Sequence, residues 1–216
     1  TKIVNNNYIR AKKVNIIGTK NLVNSIINTK YKPKWFFFSS SSHVYKISYK
    51  NKKINEMSLI KPISNYGKTK RDAESIIQKE LKGKEIAYCI GRIFSFTDKN
   101  QDKSYVVPNT INQIKCSKKK EIVLNNLNHY RDFLSTKDIS KAIKILFEKK
   151  AHGIFNIGSG KKFSLQNIAK LIGKKYNKNV KFINKNKITY LISNNKKLIK
   201  LGWKPKKYKD NLTYFY

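Results

Sequence analysis

Trp35-Phe36-Phe37-Phe38 is an unbroken apolar run that passes directly into four serines, Ser39 to Ser42. A run apolar at both odd and even positions cannot lie on a sheet with one wet face. It suits a parallel strand covered on both sides. Parallel neighbours require crossovers, usually helical, and the flanking text supplies them. Val14, Ile17, Leu22, Ile26 and Ile27 mark a helical face that ends at the turn from Asn28 to Pro33, and residues 66–81 read as a second helix. Residues 86–93 form another buried strand, and residues 46–64 a loop that closes with Pro62. Alternating helices and short apolar strands argue for an α/β fold with a parallel sheet.

Beyond Arg92 the texture changes. Residues 95–105 are polar and loop-like, 106–117 are helical in pattern, 121–124 a short strand and 130–135 an isolated extended piece. A helix over 137–149 leads to strand-like 153–158, which ends in the turn Gly158-Ser159-Gly160. Ser164 then caps a helix to about Tyr176, followed by a strand near 180–183, a helix near 194–201 and the turn Gly202-Trp203-Lys204-Pro205.

Charge needs separate treatment, because Lys+Arg number 48 against 12 Asp+Glu, a formal net charge of +36. Such a charge ordinarily points to nucleic acid or an anionic membrane. The composition argues otherwise: 98 of the 216 residues are Lys, Asn or Ile, the amino acids favoured by A/T-rich coding, and only 4 are Arg. Arginine is the residue that specific nucleic-acid readers use for bidentate contacts. The charge therefore reads as a compositional coat on an ordinary fold. Polyanion binding is expected to fall steeply with salt and to show no sequence preference; mobility shifts with unrelated duplexes across a salt series check this, and a tight, sequence-selective complex at physiological salt would contradict it. No apolar run approaches the ~18 residues of a membrane span. Cys89 and Cys116, with the scattered His43, His129 and His152, form neither a disulfide scaffold nor a metal cage. A soluble, cytoplasmic protein with reduced thiols is expected.

The chemistry-bearing pattern is Tyr66-Gly67-Lys68-Thr69-Lys70, at the start of a helix and about 25 residues after the strand-end serines. Spacing i, i+4 puts the Tyr66 phenol and the Lys70 ammonium on one face. An adjacent ammonium favours phenolate, so the pairing predicts a Tyr66 pKa below the usual ~10. Such a phenol can exchange a proton with a sugar hydroxyl that a serine orients.

Taken in order, strand, Ser-Ser-Ser-Ser-His-Val-Tyr, loop with Glu56 and Pro62, Asn65-Tyr66-Gly67-Lys68-Thr69-Lys70 and Glu74, the chain resembles the extended short-chain dehydrogenase/reductase family, the NAD-dependent nucleotide-sugar epimerases and dehydratases. The likeness continues in Asn15 and Gly18-Thr19, in Gly91-Arg92-Ile93-Phe94, in Tyr130-Arg131-Asp132-Phe133 with Asp138, in Phe155-Asn156-Ile157-Gly158-Ser159-Gly160 and in Leu201-Gly202-Trp203-Lys204-Pro205. It implies the C-terminal part of a Rossmann-type doubly wound parallel sheet, with the catalytic residues, over 1–94. A smaller α/β substrate-binding region is implied over 95–216, with 130–160 partly returning to the sheet. Ser41, Tyr66 and Lys70 take the catalytic positions; Ser39, Ser40 and Phe94, with Tyr66 and Lys70, the cofactor positions; Ser42, His43, Ser95 and Arg131 the substrate positions. Arg131 would bind a nucleotide diphosphate, the alternative being an ion pair with Asp132 or Asp138. NAD or NADP, a nucleotide sugar and a homodimer follow as implied partners.

Departures from the family narrow the expectation. Lys46, Ser95 and Thr97-Asp98 stand where the family has Gly, Asn and Tyr-Gly, and Ser42-His43 where its 4,6-dehydratases carry acidic residues. A 4-epimerase or 4-keto reductase is therefore expected rather than a dehydratase. The alternative is a polyanion-binding protein on a catalytically inactive fold of this type. The family's G-x-x-G-x-x-G turn is not in the chain. With Thr1 as first residue, the sequence reads as missing roughly 70–90 preceding residues at ~30 per βαβ unit. On that reading residues 1–216 alone are expected to bind dinucleotide negligibly, to be inactive, and to aggregate through an uncovered strand edge.

Overall fold

The computed structural model describes residues 7–206; the polar opening, residues 1–6, and residues 207–216 of the expected second region lie outside it. Three parallel strands form the main sheet: β1 (Trp35–Ser41), β2 (Ala87–Ile93) and β7 (Gly153–Ile157), in the order β1-β2-β7. The register pairs Ser39 with Gly91, Ser40 with Arg92 and Ser41 with Ile93, so the serines end the strand beside the arginine. The other edge of β1 has no strand partner among the described residues.

Alternation along β1 explains why all four of its aromatics are needed. Phe36 and Phe38 pack with Val23, Ile77, Leu81, Ile86 and Ile90 on one side. Trp35 and Phe37 pack on the other, with Leu134, Ala142, Leu146 and Trp203. The first side is covered by α2 (Gly18–Asn28) and α3 (Asn65–Glu80), the second by α5 (Thr136–Glu148). Gly91 is required in β2 because a Cβ there would lie 2.6 Å from the Phe37 ring.

The first helix is longer than its apolar periodicity predicts. α1 (Tyr8–Lys12) runs through a π-helical turn, Lys13–Ile17, into α2. The extra residue in the turn resets the helical phase, so that Val14 and Ile17, expected on the apolar face, are exposed, while Val23 beyond the turn is buried. Within the turn, Asn15 Nδ2 donates to Thr69 Oγ1 at 3.1 Å, tying this helix to the one that carries Tyr66.

A third apolar cluster is separate from these two, built on Val107, Ile114, Ile122, Leu124, Phe133, Ile168 and Ile172. It joins α4 (Val106–Cys116), β4 (Glu121–Asn125), α6 (Leu165–Lys175) and β9 (Asn179–Ile183), with β4 parallel to β9. The stretch expected to be isolated and extended is not isolated. β5 (Tyr130–Arg131) pairs with β8 (Phe163–Ser164) and β10 (Tyr190–Leu191), and β6 (Phe133–Leu134) with β3 (Ser95–Phe96). These pairings are only two residues long and join segments distant in sequence, so periodicity cannot announce them.

Asp132, between β5 and β6, is fully buried and accepts from Ser159 N and Oγ, Gly160 N, and Ser193 N and Oγ at 2.5–3.0 Å. Burial pushes its pKa up while these hydrogen bonds pull it down. The Gly158-Ser159-Gly160 reversal is thus held by a carboxylate. Gly158 has no room for a Cβ, which would collide with the Ser193 hydroxyl. No helix among the described residues is long and apolar enough to cross a membrane.

Candidate active site

The carboxyl end of β1 opens on a cavity of about 430 Å³, whose wall includes Ser41, His43, Tyr66, Phe94, Ser95 and Arg131. Ser39, Ser40 and Ser42 also border it. Tyr66 arrives from the first turn of α3, which starts there because Ser64 Oγ accepts from Gly67 N at 3.1 Å. Ser41 caps the short 3-10 turn Ser42–Val44 through His43 N, and its side chain borders the same cavity as the Tyr66 phenol, whose pKa it lowers. Lys70, one turn further along α3, donates from Nζ to the Ser39 carbonyl at 2.9 Å and lies 4.9 Å from the Phe38 ring centroid.

Gly67 sets this arrangement. A Cβ at position 67 would strike the His43 carbonyl oxygen and sit 3.0 Å from its carbon and 3.1 Å from Pro62 Cβ. Helix and serine turn meet backbone to backbone, which fixes Tyr66 relative to Ser41. Gly67→Ala must shift one or the other, and a misplacement approaching 1 Å costs about 10²-fold in turnover. Steady-state kinetics beside an unchanged far-ultraviolet spectrum would check this, and full activity in Gly67→Ala would contradict it.

The electrostatics correct one expectation. The Tyr66 pKa lies above its ordinary 10.0, raised by burial, lowered by Ser41 and raised again by Tyr105. Lys70 is not among the groups that set it; its ammonium donates to the Ser39 carbonyl, and its own pKa is shifted down by burial. The phenol is therefore held protonated at neutral pH, as a proton donor.

His43 presents its ring edge to Tyr66, with centroids 5.8 Å apart and planes at 77°. The imidazole reaches solvent, but it sits in a concave wall: lost hydration lowers its pKa below 6.5 and Arg131 lowers it further. It is expected to titrate below 6.5 by NMR and to move up in Arg131→Met. A midpoint above 6.5 would contradict this placement.

Ser40 borders the cavity, but its hydroxyl is engaged beneath it. Alternation along β1 turns it to the same side as Phe36 and Phe38, where it donates to Glu74 Oε1 at 2.6 Å. Glu74, with no exposed surface, also pairs with Arg92 through Nε at 2.9 Å and Nη2 at 2.7 Å, and with Arg71 at 3.1 Å. The Arg92 guanidinium lies 4.7 Å from the ring centroid of Tyr45, whose hydroxyl donates to Asn156 Oδ1 at 2.7 Å. A buried polar scaffold thus underlies the serine strand end. Phe94, 2% exposed, packs in the core that includes Tyr45 while its surface borders the cavity.

Arg131 makes no ion pair with Asp132 or Asp138, and among the described residues it has no carboxylate partner. It donates to Tyr130 O, Thr189 O and Thr189 Oγ1. Burial without a counter-charge pulls its pKa down to about 10. An uncompensated half-buried guanidinium in a cavity wall is a fit for an anion. The wall also includes Tyr105, Gln101, His129 and Asn126, none of them singled out from the sequence. They lie on loops or element ends with no local pattern; only the proximity of His129 to Arg131 in sequence was a usable signal.

The same geometry bears on a dinucleotide. A half-buried ammonium, a phenol and a serine hydroxyl at a parallel strand end suit the ribose and nicotinamide end of such a cofactor. No group of three or more His, Cys, Asp or Glu among the described residues could hold a metal ion.

A sequence model of the family described as GDP-mannose 4,6 dehydratase matches residues 6–213. The chain is similar to GDP-6-deoxy-D-talose 4-dehydrogenase of Aggregatibacter actinomycetemcomitans, at 30% identity over 173 residues, 80% of this chain and 58% of that protein. It is also similar to dTDP-4-dehydro-6-deoxyglucose reductase of Escherichia coli, at 28% over 181 residues, 80% and 56% of the two chains. The chain thus spans little more than half the length of these relatives. Among solved structures, UDP-glucose 4-epimerase of Thermotoga maritima with UDP-glucose matches at TM-score 0.80 and 26% identity, over 99% of this chain and 72% of that one. RMD of Pseudomonas aeruginosa complexed with NADPH matches at TM-score 0.84 and 20% identity, over 95% and 72%, a likeness of fold.

Proposed function

The chain belongs to the GDP-mannose 4,6 dehydratase family, among the extended short-chain dehydrogenases/reductases, and from that premise we propose that it acts on a nucleotide-activated sugar with NAD or NADP, as a 4-epimerase or a 4-keto reductase. The observation that carries the reading is that Tyr66 and Ser41 face one cavity at the carboxyl end of β1, close enough for Ser41 to act on the phenol's pKa. Its protonated phenol suits the reductive direction, in which a ketone oxygen must receive a proton.

In this reading Ser41 orients the oxygen on sugar carbon 4, and Tyr66 gives that oxygen its proton or takes it away. When bound, the nicotinamide supplies or accepts the hydride at the same carbon. Lys70 holds the cofactor ribose, and Arg131 takes the diphosphate of the substrate. Elimination of water is disfavoured because Ser42 and His43, at the cavity wall beside Tyr66, provide no carboxylic acid. Residues 1–94 would then carry the cofactor and catalytic side of the site and 95–216 most of the substrate side, the whole protein working as a homodimer. The polyanion-binding alternative gives no reason for Ser41 and Tyr66 to meet at one cavity wall, with Lys70 bound to the backbone of the same strand end.

The test is a substrate panel on the full-length protein. Nucleotide-4-keto-6-deoxyhexoses with NADPH or NADH, followed at 340 nm, should report reduction; UDP-, GDP- and dTDP-hexoses with NAD, followed by proton NMR, should report epimerisation. Inactivity across both sets would overturn the proposal.

A further inference from the structure

Arg131 is held from one side only, and counting its hydrogen bonds identifies the edge left for a ligand. Nη1 and Nη2 both donate to Thr189 Oγ1 at 3.1 Å. Nη1 also reaches Tyr130 O at 2.8 Å and Thr189 O at 3.2 Å. The end of the guanidinium is therefore turned toward Thr189. Of five N–H donors, the Nε–H and the outer Nη2–H have no partner among the described residues. Those two run parallel along one side of the group, the geometry of a bidentate contact to two oxygens.

Thr189, 9% exposed, has its own balance. A hydroxyl has two lone pairs and one proton. Both lone pairs are taken by Arg131, so the proton goes to the third neighbour, His129 Nδ1, at 3.0 Å. His129 must then accept at Nδ1 and carry its proton on Nε2, a neutral tautomer that the network assigns. Its pKa is displaced in the same sense, lowered by burial and by Arg131. An imidazolium would bring a third donor onto an oxygen that has only two acceptor sites. Neutral His129 thus orients the Thr189 hydroxyl, and Thr189 orients Arg131.

We infer that Thr189 is a positioning residue which, backed by His129, pins the end of the Arg131 guanidinium so that its Nε–Nη2 side is presented as a two-pronged fork to the diphosphate of a nucleotide ligand. The inference rests on the nucleotide-sugar reading and deepens it. It makes a residue 58 positions from Arg131, in the segment before β10, part of substrate recognition.

Calorimetric titration of the full-length protein with UDP, GDP and dTDP tests it, taking forward whichever binds most tightly. Thr189→Val keeps the shape but removes the hydroxyl, and should weaken binding about tenfold, the worth of one charge-assisted hydrogen bond. Thr189→Ser should restore affinity to within about twofold of the parent, a rescue that mere packing would not give. Because Thr189 acts through Arg131, the double variant Thr189→Val/Arg131→Met should bind no worse than Arg131→Met alone. Should Thr189→Val fail to fold, Thr189→Ala takes its place. In addition, the Nε–H resonance of Arg131, one of four arginines and assigned by its loss in Arg131→Met, should shift when the nucleotide is added to the parent protein. Parent binding with an unaffected Thr189→Val, additive losses in the double variant, or an unmoved Nε–H would overturn the role of Thr189 and leave the nucleotide-sugar reading standing. Failure of all three nucleotides to bind the folded parent would overturn both.

Discussion

Tyr66→Phe in the full-length protein is expected to lower kcat by about 10³-fold, the usual worth of a positioned acid/base, with substrate and cofactor affinities nearly unchanged. The substitution removes one hydroxyl and almost no contact area, and Ser41, on the same cavity wall, keeps its bond from His43 N. A loss confined to kcat identifies a group that acts in the transition state. Lys70→Met should differ in kind. It removes a cation that holds the Ser39 carbonyl at 2.9 Å, so cofactor affinity and turnover should fall together. Near-normal turnover by Tyr66→Phe would remove the acid/base assignment whatever the behaviour of Lys70.

The second large effect is on stability and comes from the scaffold beneath the site. Glu74 accepts from Ser40, Arg71 and Arg92, and Arg92 is itself 1% exposed. Arg92→Met leaves Glu74 buried with its principal counter-charge gone, and removal of one partner from such a pair costs about 3–5 kcal/mol. The cost should appear as a lower midpoint in urea with the slope of the transition retained. It should exceed that of Lys144→Met, whose pair with Glu148 is solvent-exposed and lies on one helix face. Equal stability of Arg92→Met and the parent would mean that Ser40 and Arg71 alone satisfy Glu74.

Local chemistry explains which parts of the molecule were legible in the sequence. Trp35 to Phe38 declared a strand covered on both faces because the run is short, aromatic and bounded by Pro33 and four serines, and both faces are indeed covered. Tyr66 and Lys70 were visible because helical spacing alone brings i and i+4 together. The family resemblance sets Ser40 beside Ser39 at the cofactor positions, and four identical residues offer no contrast to separate them. The strand period of two, applied one residue past the aromatics, separates Ser40 from Ser39 and Ser41 and sends it to Glu74. The lowered Tyr66 pKa was an argument from sequence proximity; the Lys70 ammonium bonds to a backbone carbonyl on β1, a partner that no spacing rule contains. Thr189, His129 and Tyr105 remained out of reach for a related reason. His129 and Tyr105 come to the cavity, and Thr189 to Arg131, through pairings two residues long or through loop ends, where position is set by tertiary contacts such as the hydrogen bonds around Asp132.

We propose that hydride moves to or from carbon 4 of a nucleotide sugar beside Tyr66. The most direct measurement is to incubate the full-length protein with NADPH deuterated at the transferring position of C4 and a nucleotide-4-keto-6-deoxyhexose, then locate the label in the product by NMR and mass spectrometry. The expected product carries one deuterium on sugar carbon 4, and Tyr66→Phe should yield about 10³-fold less of this labelled product over the same interval. Deuterium on any other sugar carbon, or label transfer that persists undiminished in Tyr66→Phe, would contradict it.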